Sequence, residues 1–410
     1  MPQKKSTVSR YPDPGARQPR LAEIRNSKMA TSAHAYVRGN ARHFYTWLAR
    51  LHAGSLPEGP GVWICGDCHI GNLGPVADAD GDVAIQIRDL DQTVIGNPAH
   101  DLIRLGLSLA TAARSSDLPG VITARMMAAL IDGYEQAFDP HQSDQMRKAQ
   151  RPAVVRVAMK EAVHRSWRKL ARQSIAGTDP SIPLGKRFWP LSTKERKEIH
   201  ALFETGTGSA LATVLRPAQA GAKVKVLDAA YWVKGCSSLG RLRYAVLVDI
   251  GHACADGGAP CLVDIKEAIA VSAPRYPRVR MPRDNAQRVV EGARHLSPFL
   301  GDRMNAARLD GRAVVLRELL PQDLKLDAEK LGEADAVKAA HFLALVVGRA
   351  HASQMDGATR KSWLAELRRS RERSRDTPSW LWLSVVELIS IHEAAYLEHC
   401  RGFAAEKPIE

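Results

Sequence analysis

Two periodicities divide this chain. Short apolar runs rich in β-branched residues, Val62–Cys65 and Val83–Ile87, are bounded by Gly, Pro and Asp and predict strands. Lys223–Val233, Leu242–Ile250, Cys261–Lys266 and Ala313–Leu319 predict four more, with a Gly-rich hairpin at Gly251–Pro260. Helical spacing marks Leu21–Leu51, where Phe44, Trp47, Leu48 and Leu51 fall on one face. It also marks Asp101–Ala113, Val121–Phe138, Ala153–Arg172, Arg288–Arg294, Ala339–Ser353 and Trp380–Phe403. Gly177–Pro190 reads as loop, and Lys361–Arg375 as a charged, exposed segment.

The two early strands each deliver acidic residues. Asp67 and Asn72 follow the first, five positions apart, and Asp89 and Asp91 end the second. Carboxylates beside a carboxamide on strand ends suit Mg²⁺ and the orientation of a hydroxyl nucleophile, so a phosphotransferase site is expected here. Later, Lys234-Gly-Cys-Ser-Ser-Leu-Gly240 lies between two strands, with Gly235, Ser237 and Gly240 in the places of a G-x-G-x-x-G loop and Ser238 within it. A dinucleotide-binding turn would open a helix; this loop opens another strand, so that reading is set aside. Lys266 ends the next strand, where an ammonium can neutralise phosphate oxygens if an acid holds it. Glu267 points to the opposite face, and Glu291, on the helix that follows, is the expected partner. Arg38 is placed to reach a phosphate or the acidic site, a surface ion pair being the alternative. His69 is read as tying its loop to nearby backbone, with a proton relay as the alternative, and His351 as a hydrogen-bonded core residue.

The chain has 410 residues, enough for two lobes with substantial cores. Its formal charge of +14 favours an anionic partner: nucleotide, phosphorylated metabolite, nucleic acid or acidic membrane. No stretch approaches a transmembrane length, and residues 1–20 are basic without an apolar core, which predicts a disordered arm and a cytoplasmic protein. Six scattered cysteines fit a reducing compartment. Cys65-Gly-Asp-Cys-His69 matches the haem-attachment pattern, but that chemistry needs export, and no further spacing completes a zinc site. The basic residues of 153–172 could meet nucleic acid; a solvated helix with one buried stripe is preferred, because no reader motif accompanies them and aromatic residues are few. His392-Glu393 lacks the second His of a metalloprotease.

Three ordered pieces carry a resemblance. Gly66-Asp-Cys-His-Ile-Gly-Asn72, Asp89, and Gly96-Asn-Pro-Ala-His-Asp-Leu102 resemble the H-G-D-x-x-x-x-N loop, metal Asp and G-[DN]-P-x-x-D-[LI] element of aminoglycoside phosphotransferases and related small-molecule kinases. Cys65 stands where those enzymes carry His. Almost the whole chain is also similar to a bacterial family of uncharacterised proteins, through Lys28–Asn40, Gly66–Gly74, Arg88–Thr93, Gly235–Arg243, Leu262–Ala268, Arg288–Arg294 and Gly348–Ala352. That family usually has acid where this chain has Gln86, Arg88 and Gln92.

The resemblance implies an α+β, two-lobed, protein kinase-like fold in circularly permuted order, since the catalytic residues precede the Gly loop and Lys266. The expected division is a catalytic region at 21–222, a nucleotide-binding β lobe at 223–322, and a helical region at 323–410 packing on the first. It implies ATP and Mg²⁺ as cofactors, with Asp67 as the base, Asn72, Asp89 and Asp91 at the metal, and Asp101 in support. Gly235, Ser237, Ser238, Gly240, Lys266 and Glu291 would hold phosphates. The acceptor is an unidentified small molecule or protein. The alternatives are a nucleotide-binding pseudoenzyme of the same fold and a basic nucleic-acid-binding protein.

Overall fold

A computed structural model describes residues 11–78, 80–139, 141, 151–164, 181–207, 210–211, 222–251, 260–324, 326, 332–372 and 379–405. The protein is a mixed α+β molecule. Its strands are β1 (Val62–Ile64), β2 (Leu73–Ala77), β3 (Val83–Ile87), β4 (Val94–Gly96), β5 (Phe188–Trp189), β6 (Val224–Trp232), β7 (Arg243–Ile250), β8 (Cys261–Glu267), β9 (Met304–Leu309) and β10 (Arg312–Glu318). β1 pairs with β4 and β2 with β3 in two antiparallel ribbons. The other six form one antiparallel sheet in the order β5-β6-β7-β8-β10-β9.

The ribbons rest among helices. Ala99–Ser115 is almost wholly buried, because Leu102, Leu105 and Leu109 line one face and Ile103, Leu107 and Ala110 line others. A helix apolar on every side must lie inside the protein. Glu333–Ala352 packs against Gly120–Gln136 so closely that a Cβ on Gly133 would fall 2.1 Å from the His341 carbonyl oxygen. Trp380–Ala405 crosses Ala99–Ser115, where Gly106 admits Val385 and Leu381. Helix Asn285–Leu296, capped by Asp284 accepting from the Ala286 and Gln287 amides, joins the sheet to this helical body. Gly292 lies against Thr93, and Arg288 donates to the Thr93, Asp91 and Ile269 carbonyls.

Several expectations need correction. Leu21–Leu51 is not one helix but three, Arg17–Met29, Ala33–Gly39 and Ala41–Leu48. Ser32 starts the second by accepting from the Ala35 amide at 3.1 Å, and Asn40 breaks the run with φ −137° and ψ 72°. Residues 1–10 of the basic arm lie outside the described residues, but Arg17 is buried: it donates to Glu195 at 2.6 Å and lies over the Tyr231 ring. Residues 165–172 of the expected basic helix and 252–259 of the hairpin also lie outside the described residues. The charged segment 361–375 is largely helix, Gly357–Glu372, and buries Trp363 and Leu367. β5 shows that the large sheet recruits chain from before residue 223.

Candidate functional site

The turn after β1 is built from behind. Gly66 adopts φ +72°, and any Cβ there would fall 2.1 Å from the Gln92 carbonyl oxygen, so only glycine fits. Asp101, fully buried at the start of helix Ala99–Ser115, accepts from the Cys65 amide at 2.7 Å and the Gly66 amide at 2.9 Å. Its Oδ2 also meets His351 Nε2 at 3.3 Å, while His351 Nδ1 meets the Tyr134 hydroxyl at 3.0 Å. Tyr45 donates to the Gly66 carbonyl, and the Cys65 thiol to the Asp89 carbonyl at 3.5 Å. Asp101 therefore shapes the turn without entering the cleft.

Asp67 is held by Arg104, a fully buried residue on the same helix as Asp101. Both contacts, Nε at 2.9 Å and Nη2 at 2.8 Å, fall on Oδ1, and the Asp67 side chain keeps 15% of its surface exposed. Burial pushes the Asp67 carboxyl up, against the pull of Arg104, and nearby Asp89 adds to the rise. Asn72 Nδ2 donates to the Asp67 carbonyl at 3.0 Å, which fixes the carboxamide. His69, Gly71 and Asn72 line the cleft beside this turn, but Asp67 does not.

The segment after β3 meets the sheet at Lys266. Lys266 Nζ lies 2.5 Å from Asp91 and 3.2 Å from Asp89. Desolvation in the cleft would raise the Asp89 carboxyl, but Lys266, Arg243 and Arg317 together hold it well below the usual carboxylate range. Asp91 moves the other way: burial and the charge of Asp89 raise it. The expected Lys266–Glu291 pair is absent. Arg288 and Gly292 occupy the inner face of their helix, which turns Glu291 outward to His295 at 3.3 Å and Arg294 at 3.7 Å.

A cavity of about 480 Å³ lies between these groups and the β6–β7 loop. Gly235, Ser237 and Ser238 line it. Gly240 is absent from the lining, its carbonyl accepting from Gln18 at 2.6 Å; Lys28 takes the Gly235 carbonyl at 2.9 Å. The N-terminal helix thus holds both ends of the loop. Arg38 also lines the cavity, with its guanidinium against Gly71, and its buried Nε has no hydrogen-bond partner. The expected backbone tie of His69 is not seen: its Nδ1 is buried without a partner, and burial beside Arg38 and Arg104 keeps the ring neutral by pushing its pKa well down.

Sequence reading missed Arg104, Lys28, Lys234, Arg243, Asp264 and Arg317, and read Arg88 only as a lost acid. Lys234 and Arg88 stand immediately before Gly235 and Asp89, a position that would have flagged them. Among the described residues no group of three or more His, Cys, Asp or Glu is arranged to hold a metal. Asn72, Asp89 and Asp91 are hard oxygen donors of the kind Mg²⁺ uses when phosphate oxygens and water complete its shell.

A helical body and an antiparallel sheet thus enclose one cleft lined by acids, a strand lysine and a glycine loop. A family model described as "Uncharacterized protein conserved in bacteria (DUF2252)" matches residues 17–402, and the chain belongs to that family. Neither a curated protein nor a solved structure matches it. Among the described residues no helix is long and apolar enough to cross a membrane.

Proposed function

We propose that this protein is an ATP- and Mg²⁺-dependent phosphotransferase with a kinase-like fold in permuted lobe order, acting on a hydroxyl acceptor. The observation that carries the proposal is the junction of Lys266 with Asp89 and Asp91, which bridges 177 positions of sequence inside a cleft bordered by a glycine loop. The succession of loop-bearing hairpin, lysine strand, helix and second hairpin from β6 to β10 supports a nucleotide-binding lobe. Asp101 behind the turn and the Asn72 bond to the Asp67 carbonyl give the acidic side a rigid frame.

In this reading Asn72 and Asp89 hold the metal, with Asp91 beside them. The bound magnesium nucleotide supplies the phosphoryl group and neutralises its charge. Lys266 exchanges its carboxylates for phosphate oxygens. Asp67, oriented by Arg104 through Oδ1, takes the acceptor proton on Oδ2, and its raised pKa makes it the stronger base. Arg38 lines the cleft, where its guanidinium could meet an anionic acceptor.

Asp67→Asn tests this. ATP affinity by calorimetry should stay near wild type, while product formation across an acceptor panel falls by roughly 10²–10⁴-fold, the range for removing a positioned base. Equal turnover in the two proteins would refute the role. A nucleotide-binding regulator is the second reading, favoured by the place of Asp67 outside the cleft lining. Intact ATP binding without product in the wild type selects it.

A further inference from the structure

The inner end of the cleft carries more positive charge than a nucleobase could use. Arg243 donates to Asp264 through Nε at 2.9 Å and Nη2 at 2.5 Å, and Arg317 reaches the same carboxylate at 3.3 Å. Arg88 adds a third guanidinium; its Nη2 donates to the Asp323 backbone carbonyl at 3.1 Å. Lys234 adds an ammonium 3.9 Å from the centre of the Trp232 ring, with no carboxylate in ion-pair contact among the described residues. All five residues line the cavity, and the four cations share the Asp264 carboxylate, with Asp89 close by, which Arg243 and Arg317 also face. Burial and the adjacent Arg243 push the Lys234 ammonium well below the usual lysine range. Basic groups move this way when their charge is desolvated without enough compensation.

The position of the cluster matters as much as its charge. In the V-A-I-K pattern of kinase lysine strands, a small apolar residue lies two places before the lysine, on the same face. Here the strand reads Val263-Asp264-Ile265-Lys266, which puts a buried ion-pair network on that face. A flat base gains from apolar walls and loses where it must lie on desolvated charges.

We propose that this inner end is an anion subsite, in which Lys234, Arg88, Arg243 and Arg317 receive a phosphoryl group and not a base. The inference rests on the reading of the cleft as a site for phosphate esters, and goes beyond it by assigning the cleft's polarity. Two sources can supply the group. One is the tail of a nucleoside triphosphate bound with its base outward. The acceptor oxygen then bonds to the α-phosphorus, the bond from that phosphorus to the α,β-bridging oxygen breaks, pyrophosphate leaves with the electron pair, and Asp67 takes the acceptor proton. The other is a phosphorylated acceptor seated here, in which case its hydroxyl oxygen bonds to the γ-phosphorus, the bond from that phosphorus to the β,γ-bridging oxygen breaks, ADP leaves with the electron pair, and Asp67 takes the hydroxyl proton.

Calorimetry on the full chain with Mg²⁺ separates the outcomes, using inorganic tripolyphosphate, ATP and adenosine as probes. Tripolyphosphate should bind and compete with ATP, while adenosine should not. Lys234→Met, which keeps an alkyl stem on Trp232, and Arg88→Gln should each weaken tripolyphosphate at least tenfold with melting midpoints near wild type. Adenosine binding without tripolyphosphate binding, or wild-type tripolyphosphate affinity in both variants, overturns the subsite. Tripolyphosphate binding without turnover defeats phosphotransfer and leaves the subsite standing; turnover without tripolyphosphate binding does the reverse. With ATP labelled at one phosphorus, α-label in the acceptor identifies the nucleotide's own tail, and γ-label a phosphorylated acceptor.

Discussion

Asp101→Asn probes the frame of the site without touching the cleft. The native carboxylate accepts from two buried amides, Cys65 at 2.7 Å and Gly66 at 2.9 Å. A carboxamide offers one oxygen and one NH₂, so it can serve one amide while facing the other with a donor. A buried donor left without an acceptor costs about 1–3 kcal/mol, and bonds to a charged acceptor lie at the upper end. The turn should therefore lose about 2–3 kcal/mol of local stability. Since 1.4 kcal/mol is tenfold in an equilibrium, the Cys65 and Gly66 amides should exchange with deuterium roughly 30- to 140-fold faster. Exchange resolved by residue is the assay, with the melting midpoint as a global check. Unchanged exchange at both amides, with the variant folded, would show that the turn is held by Tyr45 and packing, and that Asp101 is not its support.

Two further predictions concern stability. Burial keeps His34 near a pKa of about 4, with Arg38 adding to the shift, and His392 near about 3. Both bind protons more weakly folded than unfolded, so their contribution to stability falls as pH drops below 6.5, by about 3 kcal/mol for the pair at pH 5.5, and is flat above pH 7. The depressed carboxylates Asp89 and Asp264 titrate below this window. A melting midpoint that does not move between pH 7.5 and 5.5 would contradict the burial argument. Arg288→Met strips a donor from the carbonyls of Asp91, Thr93 and Ile269, and should cost about 2–4 kcal/mol while exposing residues 89–96 to protease. Wild-type digestion kinetics would refute the claim that Arg288 ties this segment to the sheet.

The strands that carry the acids, the loop between β6 and β7 and the lysine strand were legible because each is a short β-branched run closed by turn residues. What sequence could not supply was rotation and partnership. A helical period puts Glu291 about 60° round from Arg288, on the flank of the same face, but does not say which side meets Thr93. Only packing decides, through Gly292, and it excludes Glu291 from Lys266. Arg104 is an isolated cation in an apolar helix whose partner, Asp67, lies 37 positions away. Arg17 was hidden by the basic composition around it, although Glu195, 178 positions on, gives it a buried place. In Gly357–Glu372 the charges dominate the count, while Trp363 and Leu367, four apart, mark the face that docks. β9 escaped because Met304-Asn-Ala-Ala-Arg-Leu309 has no alternation; its partner β10 makes it a strand.

The span between Asp89 and Lys266 also sets a schedule for synthesis. At a translation rate of about 5–20 residues per second, the ribosome needs roughly 10–35 s to cover the 177 positions between them. During that interval the acidic segment has neither its lysine nor the Arg288 clasp, and the nascent helical body carries half a site. Under the proposed function, nucleotide affinity would arise late and abruptly on the ribosome, when the lysine strand and the helix after it have left the exit tunnel and closed against a part of the chain made long before.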